Sequence, residues 1–138
     1  MSKLKSKFRN KRTAVAAKFI ESGSTVLDLG CGGMLIKEHL PENVAYSGYD
    51  VNPEVPGVLP IDLDAREFPE GHWDYIVLLG VLPWITERDW TLENARSKGT
   101  FLIVTRKDER FDRQIEAAGW SLKEKLPYVD PVNICLYA

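Results

Sequence analysis

A chain of 138 residues with 44% hydrophobic residues, 28% charged residues and a net charge of −2 fits one globular domain, which argues against disorder and against a need for metals or disulfides. The two cysteines, Cys31 and Cys135, are far apart and lack CxxC or Cys/His spacing, so neither a disulfide scaffold nor a zinc site is expected and a reducing cytoplasm is the simplest home. No run of apolar residues approaches the ~18 needed to span a bilayer, so no membrane span is expected.

Charge is unevenly placed. Lys3, Lys5, Lys7, Arg9, Lys11, Arg12 and Lys18 meet no acid before Glu21, so this start carries +7 and the remainder −9. Residues 1–12 read as a basic, flexible arm suited to phosphate-bearing acceptors, RNA or an acidic surface through counterion release. The plainer reading is a solvated helix end, since only Phe8 offers an interleaved aromatic.

The apolar spacing of Val15, Ala16, Phe19 and Ile20 predicts a helix over Thr13–Ile20, stopped by Ser22-Gly23-Ser24. Thr25–Leu29 reads as a short buried strand, and Leu35–Leu40 as a helix halted at Pro41. A second strand covers Ala45–Tyr49 and ends at Asp50, with Pro53, Pro56 and Gly57 preventing a long helix after it. Val58–Ile61 gives a third strand and Trp73–Leu79 a fourth, near-continuously apolar as a strand covered on both faces should be. Then come a helix over Glu87–Arg96, a strand over Thr100–Thr105, a helix over Glu109–Ala118, and strand-like runs Trp120–Leu126 and Val132–Tyr137. Alternating strands and helices imply an α/β, doubly wound sheet, and the last two runs, too tightly joined for a parallel crossover, should pair antiparallel. No repeat or linker divides residues 1–138, which read as a single domain.

In such a sheet, ligands sit beyond the carboxyl ends of the strands, where strand order reverses. Gly30 and Gly32 let the backbone turn sharply after the first strand, and the following helix would offer amides and a positive dipole end to a carboxylate. Asp50, twenty residues past Gly30, can accept hydrogen bonds from both hydroxyls of a ribose. Asp62, ending the third strand, is placed to accept from an adenine amino group, with Val51 and Leu63 as apolar neighbours and Leu79 at the end of the fourth strand joining the same site.

The series VLDLGCG, YSGYDVNP, PIDLDAREFP and HWDYIVLLGVL resembles, in order and spacing, the motifs of class I S-adenosylmethionine-dependent methyltransferases over nearly the whole chain. The resemblance implies a Rossmann-like seven-stranded sheet of order 3-2-1-4-5-7-6, last strand antiparallel, with helices on both faces. It implies S-adenosylmethionine as cofactor. It further implies that Asp28 steadies the turn and the cofactor's amino group, that Gly30, Cys31 and Gly32 face the cofactor, that Asp50 holds the ribose, and that Asp62 with Leu63 reads the adenine. Most relatives carry a third glycine where this chain has Met34, which sets a bulky residue at the methionine end.

Pro83-Trp84 follows the fourth strand without the Asp or Asn that accepts amino protons in base methylation, so this site does not support that activity and nucleic acid is left undecided. Trp84 is the candidate for stacking on the acceptor. Glu87, Asp130 and His72 are the nearest titratable groups, but no catalytic residue is assigned among them, and Cys31 lacks the base a nucleophile needs. Arg106-Lys107-Asp108 leads straight into the next helix, leaving little for a lid, which suits a bulky or phosphate-bearing acceptor or a protein partner that completes the site. The alternatives are a non-catalytic cofactor-binding or partner subunit and a nicotinamide-binding domain, the latter disfavoured because the third glycine of GxGxxG would fall at Leu35.

Overall fold

The computed structural model describes residues 3–138, with side chains from residue 7 onward. Helix α1 (Lys3–Ala17) precedes strand β1 (Thr25–Leu29), a 3-10 helix at Leu35–His39, β2 (Ala45–Asp50), β3 (Leu59–Pro60), a 3-10 turn at Leu63–Ala65 and β4 (Trp73–Leu78). A 3-10 turn at Leu82–Trp84, α2 (Arg88–Lys98), β5 (Gly99–Arg106), α3 (Asp112–Ala117), β6 (Leu122–Val129) and β7 (Val132–Tyr137) complete the chain.

The strands form one sheet of order β3-β2-β1-β4-β5-β7-β6. The first five pair in parallel, while β7 runs antiparallel to both β5 and β6. This is the expected Rossmann-like order. Period-two alternation along buried strands sorts the core into two layers. Leu27, Leu29, Ile76, Leu78, Leu102 and Val104 face Leu92 and Ala95 of α2 and Ile115 of α3. Val26, Tyr75, Val77 and Ile103 face Val15, Ala16 and Ala17 of α1 and the segment beyond it. Helices thus cover both faces.

Three elements differ from expectation. Helix α1 starts at Lys3 rather than Thr13, so the described part of the basic arm is helical; lysine, arginine, leucine and alanine all favour helix even without apolar periodicity. The segment after the glycine turn is a five-residue 3-10 helix, entered through Met34 in the left-handed region and stopped ahead of Pro41. Strand β3 has two residues, Leu59 and Pro60, preceded by the Pro56-Gly57 turn and cut short by the Pro60 ring, which removes a ladder donor.

Among the described residues no helix is long and apolar enough to cross a membrane. Cys31 and Cys135 are both free thiols.

Candidate functional site

At the carboxyl edge of the sheet, β1 ends in a turn pinned to its neighbour: the amides of Gly30 and Cys31 donate to the Tyr49 carbonyl at 2.8 and 3.1 Å. Gly30 has φ +76°, and a Cβ there would lie 2.5 Å from Val81 Cγ2. Gly32 is also left-handed, at φ +53°, and a Cβ there would meet nothing within 4 Å, because it borders open space. The Asp50 carboxylate closes the turn: Oδ2 accepts from the Gly32 amide at 2.9 Å and Oδ1 from the Asn52 amide at 3.1 Å.

Gly30→Ala combines left-handed strain of about 1–2 kcal/mol with a clash, and is expected to destabilise the fold by at least about 2 kcal/mol. Gly33→Ala, with no positive φ and open space, should stay within about 0.5 kcal/mol of wild type. Urea denaturation of the two variants checks this contrast, and equal losses would refute the role assigned to the turn.

The turn borders a cavity of about 920 Å3. Gly30, Cys31, Gly32, Asp50, Val51, Asp62, Leu63, Leu79 and Trp84, nine of the residues singled out in the sequence, all line it. Asp62 caps the short turn that follows, its carboxylate accepting from the Asp64 amide at 3.0 Å. Asp64 in turn accepts from the amides of Thr86 and Glu87 at 2.8 and 3.0 Å, tying the loop after β3 to the loop after β4. Those two backbone bonds hold the Asp64 carboxyl below its usual range. Arg88 fastens the same loop from beneath, its Nη1 donating to the carbonyls of Leu82 and Ile85 at 3.2 and 2.5 Å. Trp84 is thereby presented at the mouth, 85% exposed, so it is not a core residue.

Asp28 does not line the cavity. It is 4% exposed behind the turn, where Tyr46 Oη donates to its Oδ2 at 2.6 Å. Burial pushes its pKa up to about 6, against the pull of the Tyr46 hydrogen bond and the Arg12 charge. Burial and the charges of Asp28 and Asp50 push the Cys31 thiol up to about 12, which fits its reading as a spacer and not a nucleophile. Met34 is also off the cavity wall, its Cε packing toward Gly57. Its φ of 58° explains why glycine suits this position. Glu87, Asp130 and His72 line neither this cavity nor the smaller one near it; Glu87 pairs with Arg66 at 3.4 Å.

The sequence reading missed the contribution of α1. Lys7, Arg9, Asn10, Arg12 and Thr13 form one wall of the cavity, and Asn10 bonds His39 at 2.8 Å, linking α1 to the 3-10 helix. A carboxylate was expected to rest on a helix start after the glycines. The five-residue 3-10 helix there has fewer than two turns of dipoles to offer, and the cations of α1 face the same space. The signal was present as Arg9, Arg12 and Thr13 at helical spacing within the acid-free start.

The family model for the methyltransferase domain matches residues 2–135. No curated protein sequence matches the chain. Among solved structures, it is similar to a TehB-like S-adenosylmethionine-dependent methyltransferase of Corynebacterium glutamicum, with 19% identity, a TM-score of 0.73, and coverage of 93% of this chain and 86% of that one. It is also similar to Aeropyrum pernix fibrillarin, solved with natively bound S-adenosyl-L-methionine, at 17% identity and TM-score 0.67 over 95% of this chain and 75% of the other. A third is the Haloferax volcanii methyltransferase solved in complex with its activator Trm112, at 14% identity and TM-score 0.71 over 98% and 91% of the two chains. The chain belongs to the methyltransferase domain family, with the class I fold of S-adenosylmethionine-dependent transferases.

Proposed function

We propose that the chain transfers a methyl group from S-adenosylmethionine to a bulky or phosphate-bearing acceptor. The observation that carries this reading is the Asp50 carboxylate, hydrogen-bonded to the glycine turn and lining a cavity that Asp62 and Leu63 also line. The residues present fit the cofactor on three counts. The cavity lies within the ~300–1,000 Å3 of small-molecule sites. A side chain at Gly32 would enter open space beside the turn, so backbone and ligand can approach closely there. Cations and carboxylates line the same cavity, matching a ligand that carries a carboxylate, an ammonium and ribose hydroxyls.

Asp50 would hold the ribose, Asp62 the adenine amino group, and Val51, Leu63 and Leu79 the apolar faces of the base. Lys7 and Arg9 would take the carboxylate. When bound at the site that Asp50, Asp62, Lys7 and Arg9 would form, S-adenosylmethionine would supply an electrophilic methyl group on a sulfonium, whose sulfur would leave with the carbon–sulfur electron pair. With a good leaving group, orientation and exclusion of water supply most of the rate, so the chain's own task is positioning. The exposed Trp84 and the short connection between β5 and α3 support an acceptor larger than the cavity, with Trp84 stacking against it. A protein partner over this mouth is the second reading, favoured by the exposure of Val51, which lines the same cavity as Trp84, and by the activator complex of the Haloferax relative. The free thiols suit a reducing cytoplasm.

Calorimetry with S-adenosylhomocysteine is expected to give a Kd of micromolar order, about −8 kcal/mol. No binding to the folded chain would refute the reading, and NAD binding in its place would make the site a nicotinamide site. A labelled-methyl screen of cell fractions then seeks the acceptor; cofactor binding without transfer to any fraction would favour a non-catalytic subunit.

A further inference from the structure

A second cavity, of about 250 Å3, adjoins the first. Leu82 and Pro83 after β4, Phe111 and Ile115 at α3, and Tyr128 and Val132 at the β6-β7 hairpin give it a largely apolar lining. Among the described residues, Arg12 is the one that lines both cavities. Its guanidinium lies against the backbone where β4 ends, so close to Gly80 that a Cβ there would be 2.6 Å from Nη1. Tyr128 fastens α1 on this side by donating to the Phe8 carbonyl at 2.5 Å.

Charge around the second cavity is unbalanced. Arg12, Arg106, Lys107 and Arg110 line it, against Asp108 and Asp112. Arg106 is committed to Asp112 through two bonds of 3.1 and 2.8 Å, and Arg110 to Asp108 at 3.4 Å. Among the described residues neither Arg12 nor Lys107 makes an ion pair, and the Arg12 Nε is buried without a hydrogen-bond partner. Asp28 attracts Arg12 from behind the turn without forming an ion pair with it, so this half-buried guanidinium is suited to an incoming anion. The larger cavity already offers Lys7 and Arg9 to a cofactor carboxylate, whereas among the described residues the smaller one has Arg12 and Lys107 uncommitted.

We propose that the smaller cavity receives a ring-sized, apolar-faced segment of the methyl acceptor bearing one carboxylate or phosphate, with Arg12 binding that anion at the boundary between donor and acceptor. The assignment rests on the methyltransferase reading of the larger cavity. A volume of about 250 Å3 falls below the ~300–1,000 Å3 of drug-sized sites, so one ring enters while the rest of a bulky acceptor stays outside. The anion also offsets the positive charge that a sulfonium brings to a site already holding a guanidinium.

The test titrates phenyl phosphate, benzoate and neutral benzyl alcohol into the full chain, with and without saturating S-adenosylhomocysteine, and titrates S-adenosylhomocysteine separately into wild type and Arg12→Gln. At least one anionic probe should bind, with benzyl alcohol at least about tenfold weaker, and Arg12→Gln should lose about tenfold or more of the anion binding while S-adenosylhomocysteine, whose carboxylate Lys7 and Arg9 would hold, loses clearly less. The two anionic arms decide between phosphate and carboxylate. Equal binding of benzyl alcohol, binding of neither anion, or unchanged anion binding by Arg12→Gln would overturn the proposal. So would a variant that loses S-adenosylhomocysteine and keeps the anion, because Arg12 would then serve the cofactor carboxylate. If Arg12→Gln does not fold, the preference of wild type for anionic over neutral probes decides alone. Failure of S-adenosylhomocysteine to bind wild type refutes the methyltransferase reading separately, and the probes titrated without it still report on the cavity.

Discussion

Replacing Asp50 by alanine is expected to weaken S-adenosylhomocysteine binding by about 100-fold, near the top of the ~10- to 150-fold range that follows from a hydrogen bond to a charged group. The ribose contacts alone would give a middling value. The larger expectation comes from the second use of the same carboxylate, whose Oδ2 holds the Gly32 amide at 2.9 Å. Alanine removes the ribose acceptor and also frees the turn, so the ligand must order backbone that wild type has already ordered. Asp50→Asn separates the two contributions. Its amide oxygen can still accept from Gly32, so it should keep that bond while losing the charge and the acceptor used by the Asn52 amide, falling between wild type and alanine. Calorimetry on the three proteins measures this, and an alanine variant within about twofold of wild type would remove Asp50 from the site.

That dual use was only half legible in the sequence. The position of Asp50 at the end of a strand, twenty residues past Gly30, suggested the ribose; its bond to Gly32 needed the register that sets Leu29 beside Tyr49. The buried strands were readable because Tyr75–Leu78 and Leu102–Val104 are covered on both faces and so are apolar without interruption, and Val26–Leu29 is broken by Asp28 alone. Strand order was not readable from those runs; it came from the resemblance. Helix α1 was half missed, since Lys3–Arg12 has helix propensity but no apolar stripe, and its contacts with the 3-10 helix and β6 are tertiary. The same gap hid Arg12. Counted in sequence it is one of seven cations in an acid-free start, and only the packing of α1 across the carboxyl edge separates it from the others. Met34 shows the reverse case: a residue conspicuous in the motif turns its side chain off the cavity, and its left-handed backbone is the informative part.

Asp28→Asn is expected to stabilise the fold above pH 6 and to weaken the site. With a folded pKa of about 6 against an ordinary 3.8, Asp28 is protonated in folded and unfolded chains alike below pH 3.8, and there it costs nothing. Between the two values the folded protein keeps a proton that the unfolded chain has released, so stability from this group falls as pH rises. Above pH 6 the loss is complete, at about 3 kcal/mol if each tenfold change in ionisation is worth about 1.4 kcal/mol. Asparagine has no charge to bury and can still accept from Tyr46, so urea denaturation should find the variant more stable by up to about 3 kcal/mol at pH 7.5, with the gain fading toward pH 4. An asparagine variant no more stable than wild type at any pH would refute this account. A carboxylate retained at such a cost suits a ligand that rewards its charge. Under the proposed function that ligand is the cofactor, whose ammonium group favours ionised Asp28. S-adenosylhomocysteine binding near pH 5.5 should therefore release a proton, seen as a binding enthalpy that varies with the ionisation enthalpy of the buffer. The Asp28→Asn variant should bind more weakly and show no such dependence, which separates a charge kept for the ligand from one that merely braces the turn.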